Sequence, residues 1–218
     1  ILIIAAHPDD EILGCGGLIS KFKKNSKIQV IFLSDGLSSR TKNKKKMKIR
    51  KSECLKLFSY LKIKMPIFFN FPDNKMDEVP LLNIVKKIEK IIKTFQPNIV
   101  FTHYEDCLNV DHRVAFKATI TACRPIKKNK FINEIVSYEV PSSTEWKFSR
   151  KRVFKPNIFL DISKEIKEKK KMMKFYKSEL CSYPHSRSLK GIEILSRYRG
   201  ITSGLKSAEA FLLVRKKI

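Results

Sequence analysis

The sequence predicts an α/β fold: a mostly parallel sheet, helices on both faces, and a ligand crevice at the carboxyl ends of the strands. Three observations carry this. In the first half of the chain, apolar runs of strand length alternate four times with segments of helical period. Two of those runs open directly into polar stretches, His7-Pro8-Asp9-Asp10-Glu11 and Thr102 to Arg113. The strand ends of a parallel sheet gather at one edge, where such folds bind their ligands.

Ile1 to Ala6 reads as the first strand, and Pro8 presets the backbone for a turn or first helical position. A helix follows over Ile12 to Lys24, with Gly14, Gly16 and Gly17 marking close packing on the sheet. Ile28 to Leu33 is the second strand, ending at Ser34-Asp35-Gly36. Lys42 to Tyr60 begins as a basic run and becomes an amphipathic helix. Pro66 to Phe71, a helix over Leu81 to Phe95, the strand Asn98 to Thr102 and a helix over Asp111 to Cys123 complete the alternation. Beyond it, Ile135 to Val140 and Asn157 to Ile162 read as strands. Ser163 is placed to cap a helix running to about Leu180, and Lys164 to Lys174 reads as that helix's exposed face. A shorter helix over Gly191 to Arg199 and an apolar segment, Ala208 to Val214, close the chain.

With 218 residues, 43% of them hydrophobic, the chain suits a single domain over residues 1–218. No apolar run approaches the ~20 residues of a membrane span, and no signal peptide is visible. The five cysteines are scattered, form no CxxC pair, and read as reduced thiols of a cytoplasmic protein. The net charge of +25 has two readings. One is compositional bias, since Lys, Ile and Asn are abundant throughout; the other is attraction to phosphorylated sugars, anionic lipid or nucleic acid. A specific nucleic-acid binder would interleave its basic residues with exposed aromatics, and that pattern is missing. A dinucleotide-binding oxidoreductase is the other rival. Gly14-Cys15-Gly16-Gly17 follows a strand, with Asp35 about 20 residues on. Its third glycine is misplaced, however, and Asp9, Asp10 and Glu11 would repel a pyrophosphate.

Three of the four histidines, His7, His103 and His112, fall at the two polar strand ends beside several carboxylates. Acids alone would be explained by helix capping; histidines concentrated with them point to a bound cation. Imidazole with carboxylate suits Zn2+, with another divalent transition metal as the alternative. His7 and Asp10, three apart at a helix start, can reach one ion, and a histidine from the second stretch would complete three ligands. Asp9 beside them would take the proton from the metal-activated water.

Ala6 to Glu11 resembles the first motif of the PIG-L/LmbE-like N-deacetylases, and Asn109-Val110-Asp111-His112 resembles their second. Phe71 to Asn74, Tyr138 to Thr144, Tyr183 to Ser188 and Ala208 to Phe211 resemble the bacterial members over nearly the whole chain. The resemblance implies a Rossmann-like fold and zinc-dependent hydrolysis of an N-acetyl group, usually on an amino sugar. It implies His7, Asp10 and His112 as ligands and Asp9 as general base. Many members carry a histidine where this chain has Asn109, and some have a tyrosine near the position of Cys107. Asn109, His103 and Tyr104 are therefore the candidates to stabilise the oxyanion. Further expected substrate contacts are Arg50, Asp73, Asp111, His185 and Arg187. Each has a structural alternative: a surface pair with Glu53 for Arg50, turn chemistry for Asp73, a helix cap for Asp111, an ordinary loop for the last two. The expected substrate is a small N-acetylated amino sugar, with basicity favouring a phosphorylated, nucleotide- or lipid-linked form.

Overall fold

The computed structural model describes residues 1–34, 36, 39, 44–148 and 153–218, with residues 44–47 described by their backbone alone. Its strands are β1 (Leu2–Ala5), β2 (Gln29–Ser34), β3 (Ile67–Phe71), β4 (Ile99–His103), β5 (Glu134–Tyr138), β6 (Ile158–Asp161) and β7 (Ala208–Lys216). They form one sheet in the order β3-β2-β1-β4-β5-β7-β6. β1 to β5 run parallel, and β7 runs antiparallel between β5 and β6. The helices are α1 (Asp10–Phe22), α2 (Lys44–Leu61), α3 (Leu81–Phe95), α4 (Val110–Ala122), α5 (Ile166–Met173) and α6 (Leu189–Ile201). The predicted architecture is the observed one: a Rossmann-like sheet covered on both faces.

The alternation of side chains along β1 divides the core. Ile3 and Ala5 face α1, α2 and α5, whereas Leu2, Ile4 and Ala6 face α3 and α4. All five are fully buried, as a central parallel strand requires. β1 lies between β2 and β4, so the strand order reverses there. The crevice opens at such a switch point, and both polar stretches empty into it.

α1 is kinked at Cys15, whose φ of −131° and ψ of 15° leave the helical region. The kink frees backbone groups that a straight helix would pair with each other. A buried ion pair takes them instead. The Glu209 carboxylate accepts from the Gly17 and Leu18 amides at 2.6 and 2.8 Å, and Lys169 donates to the Leu13 carbonyl at 2.8 Å and to Glu209 at 2.7 Å. Lys169 is thus buried, although its neighbours Lys170, Lys171 and Lys174 are on the more accessible side of the predicted exposed face.

Two expectations for the second half are corrected. α5 stops at Met173, short of Leu180, and residues after it form turns that enter the site. Ser163 does not cap α5: its hydroxyl donates to Asp161 and accepts from the Ser207 amide, tying β6 to β7. The terminal apolar segment is β7, longer than the hydrophobic run because its last residues pair with β5 through Lys216 and Glu134.

The glycines of α1 serve packing. A Cβ on Gly14 would overlap the Tyr138 ring, and one on Gly17 would lie 2.5 Å from Ile162 Cγ2. Tyr138 is fully buried, and its hydroxyl donates to the Ile4 carbonyl at 2.9 Å. Gly14→Ala is therefore expected to destabilise the fold by about 1–3 kcal/mol through overpacking. Urea unfolding checks this, and an unchanged midpoint would show that Tyr138 has room to move.

Candidate active site

His7 to Asp10 form the turn between β1 and α1. Asp9 has φ 120° and ψ −30°, a backbone state that costs roughly 1–3 kcal/mol in a non-glycine residue. Neighbouring groups hold it there. Its amide donates to the Glu11 carboxylate at 2.9 Å, and its carbonyl accepts from the Ile12 and Leu13 amides at 3.0 and 2.9 Å. The turn folds Asp10 back on His7, whose amide donates to Asp10 Oδ2 at 2.9 Å. The second stretch arrives from β4 and α4. Asn109 caps α4 by accepting the Asp111 amide at 2.8 Å, so Asp111 itself is free to reach across to His7.

The structure brings His7, Asp10 and His112 together. Asp10 Oδ2 lies 3.3 Å from His7 Nδ1 and 3.3 Å from His112 Nε2. A second trio shares the other nitrogen: His7 Nε2 lies 2.9 Å from Asp111 and 3.2 Å from Asp73. Both trios place their ligand atoms within 4.8 Å of one another. Hydrogen bonding separates them. Asp111 is committed to the fold, since its two oxygens accept from the Asn74 and Met76 amides at 2.7 and 3.0 Å. In the first trio, Asp10 Oδ1 and His112 Nε2 are buried with no hydrogen-bond partner. Buried polar atoms left so are costly unless something else binds them, and a divalent metal fits a His2Asp donor set. Asp73 and Asp111 then hold the far nitrogen of His7, as carboxylates orient metal-binding histidines elsewhere.

His103 lies beneath the ligands. Its ring stacks on His112 at 3.9 Å between centroids, and its Nε2 accepts the Ala6 amide at 2.8 Å. That bond requires a lone pair on Nε2, so the proton sits on Nδ1. Burial, then the neighbouring His112, holds His103 well below the usual imidazole range, so it stays neutral. His112 goes the other way: burial opposes its charge, but Asp10 and Cys107 raise it to about 9 in the metal-free chain. Cys107 Sγ lies 3.1 Å from His112 Nδ1.

Asp9 occupies the other side of the turn, 1% exposed. Arg50 reaches it at 3.3 Å and Arg187 at 3.1 Å, and Glu179 binds both arginines. Arg50 also donates to the Pro8 carbonyl at 2.9 Å. Its predicted alternative, a surface pair with Glu53, is corrected: Arg50 is 2% exposed and faces inward, while Glu53 accepts from Ser178. Burial raises the Asp9 carboxyl despite the opposing pull of Arg50 and Arg187.

The remaining predicted residues sit around this centre. Asn109 donates to Asn74 at 3.0 Å, and the Tyr104 hydroxyl donates to the Val153 carbonyl at 3.3 Å. Asp73 also accepts the Ser39 amide at 3.1 Å. His185 packs edge-on against Trp146 and accepts the Arg187 amide. A cavity of about 630 Å³ adjoins the cluster, lined by residues that contact Asp9 and Asp111 and not by His7, Asp9, Asp10 or His112 themselves. Arg187 and Glu179 bound it on the Asp9 side, Asn74 and Asn109 on the Asp111 side, and Trp146 and His185 complete its rim. That volume suits a small molecule. Asp35, the proposed ribose ligand of the oxidoreductase rival, lies outside the described residues.

The sequence reading missed Glu179 and Tyr176. Glu179 follows the early end of α5, where a longer helix was expected. Tyr176 is fully buried and its hydroxyl donates to Glu11. Burial raises Glu11 to about 8, against the pull of Tyr176 and the Asp9 amide. An acid raised on folding binds its proton more tightly in the native state. Its stabilising share is complete below the unfolded pKa of about 4.5 and is lost as pH rises toward 8. Glu11→Gln, whose carbonyl can keep the Asp9 amide while Tyr176 accepts, removes that dependence. In metal-free protein its urea midpoint relative to the parent is expected to rise between pH 5 and pH 8. A pH-independent difference would mean that Glu11 is ionised in the fold.

The chain is similar to known proteins in sequence and in fold. Residues 2–123 match the family model "PIG-L: GlcNAc-PI de-N-acetylase". The Escherichia coli K12 protein YaiS, described as an uncharacterized deacetylase, is 28% identical over 171 residues, 76% of this chain and 83% of YaiS. Among solved structures, the N,N'-diacetylchitobiose deacetylase of Pyrococcus horikoshii superposes with a TM-score of 0.76 at 21% identity, covering 98% of this chain and 83% of that one. GalB, the 4-carboxy-2-hydroxymuconate hydratase of Pseudomonas putida KT2440, gives 0.76 at 18% identity, over 100% and 96% of the two chains. These likenesses confirm the fold.

Proposed function

The chain belongs to the PIG-L family of de-N-acetylases, and on that premise we propose that it hydrolyses the N-acetyl group of a small amino sugar or sugar conjugate with zinc as its metal. The observation that carries this reading is a buried His2Asp cluster with unpartnered donor atoms, set beside a second carboxylate that does not belong to it. A divalent metal held by His7, Asp10 and His112 would supply Lewis acidity toward water and the amide carbonyl.

The chain's own residues account for the proton. Asp9 is buried and raised above an ordinary carboxylate, which suits it to accept a proton and give it back. It takes the proton that water loses on adding to the acetamide carbon. It returns that proton to nitrogen as the C–N bond breaks, leaving acetate and a free amine. Arg50 and Arg187 fix the carboxylate against its strained backbone, and Glu179 holds both arginines in place. His103 keeps the ring of His112 in plane from below. Asp73 and Asp111 keep His7 turned so that Nδ1 faces Asp10. Arg187, His185, Trp146 and Asn109 border the cavity in which the sugar sits.

Because a hydratase shares the fold, acetate release is the deciding readout. N-acetylglucosamine and N,N'-diacetylchitobiose are expected to yield acetate, and a chelator should abolish it. His112→Ala should lose bound metal, by elemental analysis, together with activity. Asp9→Asn should keep the metal and slow turnover by about 10²–10⁴-fold, the usual worth of a general base. Undiminished turnover in a folded Asp9→Asn protein would remove Asp9 from the mechanism. Absence of acetate from every acetylated sugar and sugar conjugate tried would remove the assignment.

A further inference from the structure

A second cavity, of about 670 Å³, lies beside the first and is lined by a different chemistry. Five lysines surround it: Lys48 and Lys56 from α2, and Lys171, Lys174 and Lys177 from the end of α5 and the turns after it. All five are exposed. Lys48, Lys56, Lys174 and Lys177 form no salt bridge with any described residue. Glu53 is the one carboxylate among the described lining residues, so the five lysines leave an excess of positive charge that raises the potential of the concave surface, and an anion relieves it. Ile49 and Phe175 supply an apolar wall.

The net charge of +25 makes lysine common everywhere, so composition alone carries nothing. Another basic depression, around Lys127, Lys130, Lys216 and Lys217, shows this. It lies at the start of β5, where Glu134 pairs with Lys216, at the far end of the strand from Tyr138 and the site. The groove between α2 and α5 differs because it shares its walls with the catalytic cavity. α2 turns Arg50 inward to Asp9 and, one turn on, presents Glu53 to the groove. The turns after α5 place Lys174, Phe175 and Lys177 in the groove and the next two residues, Ser178 and Glu179, in the catalytic cavity. Ser178 joins the two walls by donating to Glu53 at 2.9 Å.

We propose that this lysine groove is an accessory subsite that binds a phosphate-bearing extension of the substrate, while the acetamido sugar occupies the cavity beside Asp9. The proposal rests on the deacetylase reading for its catalytic consequence, and the groove's affinity for phosphate stands apart from it. Ammonium groups bind phosphate as point charges, without the fork geometry that arginine needs. The concavity favours an extended small molecule over a flat lipid surface. Ile49 and Phe175 would then meet the carbon skeleton of the extension.

Inorganic pyrophosphate is the direct probe, with binding followed by calorimetry at low salt. The double substitution Lys56→Ala with Lys174→Ala, both exposed, is expected to weaken it about fivefold to tenfold. Catalytically, the same variant should raise KM for N-acetylglucosamine 1-phosphate without changing kcat, and leave N,N'-diacetylchitobiose kinetics unchanged. Presenting the sugar phosphate on a lipid in vesicles distinguishes a membrane-borne source from a soluble one. If no acetate forms from any substrate, the deacetylase reading fails while pyrophosphate affinity still tests the groove. Equal pyrophosphate affinity in parent and variant overturns the groove. So does a variant that loses neutral and phosphorylated substrates alike.

Discussion

Burying three consecutive carboxylates is the constraint on which the rest of this structure depends. Asp9, Asp10 and Glu11 are each at most 1% exposed, at the mouth of a fully buried strand. An unpaired buried carboxylate costs several kcal/mol, and like charges in adjacent positions add to that. The chain gives each acid its own solution. Asp10 is surrounded by His7, His103 and His112; burial opposes its ionisation, but the charge of His112 and the hydrogen bonds of His112 and His7 hold it well below the usual range. Asp9 lies between two arginines. Glu11 has neither remedy and keeps its proton near neutrality. Three environments thus suit one acidic run to three chemistries in the proposed reaction: a ligand for a cation, a proton acceptor and a neutral support for a strained backbone.

These solutions draw on distant parts of the chain, and so tie the site to the fold. The histidines come from the turn after β1, from β4 and from α4, the arginines from α2 and the turn before α6. Glu179, from the segment between α5 and α6, balances the arginines. Without it, Arg50 and Arg187 would face a single carboxylate with excess positive charge, in a place largely closed to water. Glu209 and Lys169 perform a similar service for the kink of α1. There the groups being satisfied are backbone amides and a carbonyl. In both places an acid's partner is set by tertiary approach, and neither pairing belongs to a local motif.

That distinction explains what was legible in the sequence. The parallel sheet and its crevice followed from apolar runs that end in charge, because strand burial writes itself directly into composition. The gathering of His7, Asp10 and His112 followed from the topology that places β1 beside β4. The direction of Arg50 was not legible: on a lysine-rich helix, nothing local separates an inward arginine from an outward one. The lysine-dense run over residues 164–174 concealed Lys169 for the same reason. α5 ends before its helical pattern does, because the residues beyond Met173 turn to bring Tyr176 and Glu179 into the site. Tertiary demand for those two side chains overrode local helical preference.

Asn109 and Cys107, the positions where the sequence led us to expect a departure from the family pattern, show how such demand is met with different residues. Asn109 is occupied on both sides of its amide, accepting from Asp111 and donating to Asn74. Its work is to fix the start of α4 and so the reach of Asp111 toward His7. Cys107 places a thiol, not a carboxylate or carbonyl, against His112 Nδ1. Burial would push that thiol up, but the charge and hydrogen bond of His112 bring it below its ordinary value. A sulfur partner of this kind still orients the ring. The two histidines of the candidate metal site are therefore supported unequally: His7 by two carboxylates, His112 by a sulfur and a stacked neutral ring. With Asn109 and Cys107 committed to this scaffolding, carbonyl polarisation in the proposed reaction would fall mainly to a metal held by His7, Asp10 and His112.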